Sequence, residues 1–310
     1  MTPIQQSLMN QVQARHQSPQ FQATVQKVFQ DAGVQAFLSA HEGELTPERI
    51  QRDYSKLFEY YHEKDLQARG QSTLAPGYEP RLVLNAGQID VTYTPSAELI
   101  AQQKATEIAN RVERIEMPKV IEQASIDQFY TSGKFATPSR QAAQLAALQY
   151  LAQHNPTQNE PGLYLYGNFG VGKTYLLGAI ANELAAQGIS TVMLHYPSFL
   201  VKMRESIQDG TLAAKRQHVS EAPVLMIDDI GAETVTAWGR DEILGVILEY
   251  RLHNNLPTFF SSNLDWEALE QHLAEDNKGV VEPMKAKRLM QRITTLSKLV
   301  TLEGQNLRHK

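Results

Sequence analysis

The chain has 310 residues, 42% of them hydrophobic and 8% aromatic, enough for a sizeable core, which excludes wholesale disorder. A formal net charge of −5 excludes a surface coated in basic residues, although a local cationic patch remains compatible with it. There is no cysteine, so disulfides and thiolate metal sites are excluded, and a reducing compartment fits that composition.

Residues 1 to 70 are rich in Gln and helix formers. Apolar residues recur at helical spacing at Val25, Val28 and Phe29, and again at Ile50, Tyr54, Leu57, Phe58 and Tyr61, which predicts a small helical bundle. No basic segment followed by an apolar run opens the chain, and no stretch reaches the ~18 apolar residues that span a bilayer. A soluble, cytoplasmic protein without a membrane partner is expected. Residues 82–84 and 89–93 read as two short strands around Asn85-Ala86-Gly87, and a polar helix is expected over 97–114. The segment 111–136 reads as a linker with spaced apolar anchors, dividing a domain at 1–110 from one at 137–310.

From there strands and helices alternate. A helix is expected over 138–154, then apolar strand runs at 163–166, 191–195, 224–227, 258–261 and 299–302, with helices at 174–187, 197–209 and 240–254 between them. That alternation predicts an α/β domain with a mostly parallel five-stranded sheet covered on both faces.

The chemistry-bearing segments fall at the ends of those strands. Gly167-Asn168-Phe169-Gly170-Val171-Gly172-Lys173-Thr174 matches the phosphate-binding pattern G-x-x-x-x-G-K-[ST], between a predicted strand and a predicted helix. Glycines let backbone N–H groups curl around phosphates, the lysine reaches the β- and γ-phosphates, and the threonine hydroxyl suits Mg²⁺. ATP and Mg²⁺ are therefore the expected cofactors. Asp228 and Asp229 end the apolar run that starts at Val224. Asp228 suits the magnesium role and Asp229 the task of orienting and deprotonating water. Asn263, just past another strand, can sense the γ-phosphate. Arg292 and Arg308 are candidates for stabilising transition-state charge, Arg292 from a neighbouring subunit, and a solvated helix face is an equal alternative for any single arginine. Lys202, Arg204, Lys215 and Arg216 could face single-stranded DNA, although Glu205 and Asp209 dilute the charge and an ordinary solvated helix competes equally.

Residues 167–174, 224–233, 256–263 and 287–293 together closely resemble the DnaI/DnaC family of replicative-helicase loaders, which are AAA+ ATPases. The resemblance covers residues 120–310 and extends more weakly to the N-terminal part through Gly77-Tyr78-Glu79-Pro80. It implies that Asp228 and Asp229 are the Walker B pair, Asn263 is sensor 1, Arg292 is the arginine finger and Arg308 a sensor 2-like arginine. It further implies a DnaB-type hexameric helicase and single-stranded DNA as partners, self-association on ATP or helicase binding, and an N-terminal domain that grips the helicase. The family's N-terminal zinc site is built on cysteines, so its absence is expected here. His41 and His62 cannot complete a tetrahedral zinc site alone. Two other readings are a transposition ATPase of the IstB type and a nucleotide-gated adaptor with negligible hydrolysis.

Overall fold

The computed structural model describes residues 19–153 and 160–307, and the chain divides into two compact units, residues 1–104 and 105–310. Among the described residues the N-terminal unit opens with four helices: α1 (Pro19–Gln30), α2 (Ala32–Ala40), α3 (Pro47–Arg52) and α4 (Tyr54–Ala68). Val25, Val28 and Phe29 sit on one face of α1 and bury fully against Val34, Leu38, Ile50 and Leu57, as their spacing predicts. Asp31 caps α2 by accepting from the N–H groups of Gly33 and Val34 at 2.8 and 3.1 Å.

A hairpin follows, β1 (Tyr78–Asn85) and β2 (Gln88–Pro95), antiparallel and in register through Leu84 opposite Ile89. Both turn residues, Ala86 and Gly87, take positive φ, the geometry that matches the natural twist of paired strands. Asp53 accepts from the Ile89 N–H at 3.0 Å and pins the hairpin to the helices. His41 lies on the Phe37 carbonyl at 2.9 Å, and His62 stacks on Phe58. The helix expected over 97–114 stops earlier: α5 covers Ala97–Asn110.

The second unit is a parallel α/β layer. Its strands are β3 (Val112–Ile115), β4 (Gly162–Tyr166), β5 (Thr191–His195), β6 (Val224–Asp228), β7 (Thr258–Ser262) and β8 (Ser297–Thr301). They lie in the order β3-β5-β6-β7-β4-β8, every pair parallel. The sheet therefore has six strands among the described residues, one more than expected. The extra strand comes from the segment read as a linker. It is four residues long and half polar, and it sits at an edge, so it carries no apolar run that could be read in advance.

The rest of that segment also belongs to this unit. Ile121, Ala124, Ile126 and Phe129 bury against the helices α6 (Pro138–Gln153) and α7 (Lys173–Ala186). Gly178 makes this possible, because a Cβ there would stand 2.8 Å from the Ile121 Cβ.

The central strands are buried on both faces, with Val224 and Met226 facing one core and Leu225 and Ile227 the other. The remaining helices are α8 (Tyr196–Glu205), α9 (Leu212–Glu221), α10 (Gly245–His253), α11 (Trp266–Ala274) and α12 (Pro283–Leu296). A π-helical turn, Trp238–Leu244, leads into α10. Fully buried Arg251 on α10 donates to the carbonyls of Ser220, Ala222 and Pro257 at 3.0, 2.8 and 2.7 Å, fastening the starts of β6 and β7. Among the described residues no helix is long and apolar enough to cross a membrane, and no group of three His, Cys, Asp or Glu is placed to hold a metal.

Candidate nucleotide site

Four neighbouring strands, β5, β6, β7 and β4, end at one edge of the sheet, the position where open parallel sheets place ligands. The loop of residues 167–174 leaves β4 there and runs into α7. Gly172 precedes α7 at φ 101°, a left-handed conformation that a side chain would strain. Around this edge lies a cavity of about 1540 Å³ whose lining includes Phe169, Lys173, Thr174, Asp228, Asp229 and Asn263.

Lys173 is 7% exposed, and its Nζ donates to the carbonyls of Gly167 and Asn168 at 2.7 and 2.9 Å and to Asn263 Oδ1 at 2.6 Å. Asn263 Nδ2 in turn donates to Asp229 Oδ1 at 3.2 Å. Thr174 Oγ1 donates to both carboxylate oxygens of Asp228, at 2.9 and 3.0 Å. The loop lysine, the strand-end asparagine and the second aspartate thus form one chain of hydrogen bonds, and the threonine and the first aspartate form another.

Asp228 is 3% exposed, and burial holds its carboxyl above the usual carboxylate range despite hydrogen bonds from Ser261 and Thr174. Such a desolvated carboxylate beside a hydroxyl, with no cationic side chain in hydrogen-bond contact among the described residues, is the hard-oxygen donor set that suits magnesium. The residues present fit the ion.

Asp229 carries a backbone φ of +59°, uncommon for a residue with a side chain. Its N–H donates to Ser261 Oγ at 2.9 Å, which holds that conformation. His195, at the end of β5, brings Nε2 to 3.8 Å from Asp229 Oδ2 and sets Nδ1 2.8 Å from Ser198 Oγ.

The other expected site residues are elsewhere. Arg292 on α12 lines a separate notch, where it donates to the Gly245 carbonyl at 2.9 Å and pairs with Glu249. It does not reach the cavity of its own chain. Arg308 lies outside the described residues. The basic residues of the 196–218 region are partnered: Lys202 with Glu116, Arg204 over the Trp238 ring, Lys215 with Ser206 Oγ at 2.7 Å and Arg216 with the Glu242 carbonyl at 3.0 Å.

Sequence reasoning missed three contributors. His195 and Ser261 reach Asp228 and Asp229 only because β5 and β7 flank β6, which no local motif reveals. The third is the segment after β8. Leu302 N–H donates to the Tyr166 carbonyl at 2.7 Å, and Leu307 N–H donates to the Gly170 carbonyl at 2.9 Å, so this tail lies along the loop of residues 167–174. Removing residues 303–310 is expected to weaken ATP binding about tenfold by loosening the loop. Calorimetric titration checks this, and wild-type affinity in the truncated chain would reduce the tail to a cover.

Comparison with known proteins agrees with this geometry. Residues 1–93 match the family described as "Primosomal protein DnaI N-terminus", and residues 79–310 match "IstB-like ATP binding protein". The "Replicative helicase loader DnaI" of Bacillus subtilis (strain 168) is 36% identical over 316 residues, with 100% of both chains covered. A crystal structure of DnaI superposes with TM-score 0.57 at 37% identity, across 65% of this chain and 100% of that one. The DnaC helicase loader, at TM-score 0.51 and 22% identity over 60% of this chain and 100% of that one, shares the fold. A full-length match of this kind, with an N-terminal domain of the DnaI type joined to an IstB-like ATP-binding domain, leaves one assignment: the chain belongs to the DnaI family of replicative helicase loaders.

Proposed function

We propose that this protein is a cytoplasmic, ATP-dependent loader that places a DnaB-type hexameric helicase on single-stranded DNA. The observation that carries the reading is the DnaI-type N-terminal match at residues 1–93 in a chain that aligns end to end with a loader. An IstB-like match over 79–310 would by itself suit a transposition ATPase equally well, and the N-terminal match is what favours the loader.

In this reading the loop of residues 167–174 holds the phosphates of ATP, and Lys173 moves from the loop carbonyls toward the β- and γ-phosphates. Thr174 and Asp228 hold magnesium, which neutralises phosphate charge when bound. Asp229 orients and deprotonates the attacking water, with Asn263 positioning it. Arg292, which faces away from its own cavity, supplies charge to a neighbouring copy, and Arg308 is assigned a sensing role. The exposed ends of Lys202 and Lys215, with Arg204 and Arg216 beside them, contact the DNA backbone. ATP binding then favours the self-associated, DNA-contacting state and hydrolysis resets it.

The N-terminal domain grips the helicase without zinc, since the chain has no cysteine and the unit is built around its own apolar core. Residues 1–110 alone are expected to co-purify with the host's replicative helicase, while residues 111–310 bind nucleotide but capture no helicase. Equal capture by the C-terminal piece would overturn that division of labour.

A further inference from the structure

Arg140 lies on the first turn of α6, and at 2% exposure it is among the most deeply buried charged residues described. Its guanidinium spans two segments that are distant in sequence. Nε donates to the Tyr130 carbonyl at 2.8 Å, and Nη1 donates to the Val171 carbonyl inside the phosphate loop. The guanidinium carbon lies over the Phe129 ring, 4.2 Å from its centroid. Phe129, Tyr130 and Arg140 all line the cavity that holds Lys173 and Thr174.

No carboxylate pairs with Arg140 among the described residues, and burial pushes its pKa down. A buried guanidinium is costly to keep without an anion nearby. Two carbonyl oxygens accept from its Nε and Nη1 groups, while no carboxylate compensates its charge at the wall of a cavity suited to a polyanion. The Val171 carbonyl is also the right handle. The peptide unit is planar, so fixing that oxygen fixes the direction of the Gly172 N–H on the opposite side. Gly172 otherwise has more backbone freedom than any residue with a side chain. An unheld loop would have to be ordered when the phosphates arrive, at a cost in affinity.

We propose that Arg140 is a nucleotide-positioning residue: it clamps the Phe129–Tyr130 segment to the phosphate loop and supplies an uncompensated positive charge that ATP neutralises. This rests on the reading of residues 167–174 as the ATP site. Arginine is required because its planar fork reaches both carbonyls at once while stacked on Phe129, which a lysine ammonium cannot do.

The test uses the full chain carrying Arg140→Lys or Arg140→Gln, measured well below the melting temperature. ATP affinity is read by titration, turnover by KM and kcat, and Tm with and without saturating Mg-ATP. For Arg140→Gln the expected result is about tenfold weaker ATP binding and a raised KM, with kcat within about twofold, because the residue touches no reacting atom. Arg140→Lys keeps the charge and loses the fork, and about threefold weaker binding is expected. The rise in Tm that Mg-ATP produces shrinks in both variants relative to wild type. If Arg140→Lys lowers the ligand-free Tm yet binds ATP with wild-type affinity, the residue is a structural staple and the proposal is overturned. That outcome overturns it even if Arg140→Gln does not fold. If the wild-type chain itself binds no ATP, the underlying site assignment fails instead.

Discussion

Lys173→Ala is expected to weaken ATP binding by about 100-fold and to abolish measurable hydrolysis, the size of effect that loss of a charge-assisted contact to phosphate produces. Nζ donates to two carbonyls of its own loop and to Asn263. All three partners are acceptors, so phosphate oxygens that draw the ammonium away compete directly with them. Lys173 and Asn263 both line the cavity, so water can take the place of the ammonium, and the variant is expected to fold and to melt within a few degrees of wild type. Equilibrium titration with ATP checks the first expectation and a thermal scan the second. Wild-type affinity in Lys173→Ala would contradict the assignment of the loop as the phosphate site.

The second large effect is expected at Asp229. Replacement by Asn should lower kcat by about 100-fold, within the usual range for loss of a general base, and leave ATP affinity within about threefold of wild type. Asparagine is the informative substitution because of the backbone. Asp229 sits at φ +59°, a region that Asn tolerates and most side chains resist, so Asn removes the base without disturbing the chain. Alanine would mix loss of the base with backbone strain. The bond from the Asp229 N–H to Ser261 Oγ survives the change, and so does an acceptor for Asn263 Nδ2. Single-turnover hydrolysis after saturation with Mg-ATP isolates the chemical step. A rate unaffected by Asp229→Asn would remove that residue as the base, and His195, 3.8 Å from its carboxylate, would become the next group to test.

The part of the site that was legible in the sequence is the part carried by contiguous residues. Gly167 through Thr174 state their chemistry locally, because glycines, a lysine and a threonine at fixed spacing after an apolar strand have few other uses. Asp228 and Asp229 are legible for a related reason: two acids closing a buried strand make little sense as core. Asn263 became legible only by its place after the next strand. The contributors that were not legible are brought in by topology. His195, Ser261, the segment after β8 and Arg140 have no motif, and each meets the site through a strand neighbour or a chain return. Arg140 in particular reads as one basic residue at the start of a polar helix, and only its buried contacts distinguish it from a solvated one.

The fold was legible to the same degree and failed in the same way. Long buried runs such as Val224–Asp228 announce themselves, whereas Val112–Ile115 is a short edge strand with Glu113 and Arg114 side by side at its centre and does not. The segment at 111–136 looked like a linker because its apolar residues are isolated in sequence. Ile121, Ala124 and Phe129 form a surface only when Gly178 and the helix carrying it lie against them. The cationic reading of the 196–218 region was similarly incomplete, since Glu116, Ser206 and the Glu242 carbonyl, which engage its basic side chains, are not predicted by helical spacing.

The most direct test of the loader reading is helicase transfer onto circular single-stranded DNA, using the host's replicative helicase and the wild-type, Lys173→Ala and Asp229→Asn chains, with and without Mg-ATP. Wild type is expected to load helicase only with ATP, and Lys173→Ala to load none. Asp229→Asn is expected to form the helicase–DNA complex but fail to recycle. Loading by Lys173→Ala at the wild-type rate, or no helicase loading by the wild type with ATP present, would contradict the loader reading.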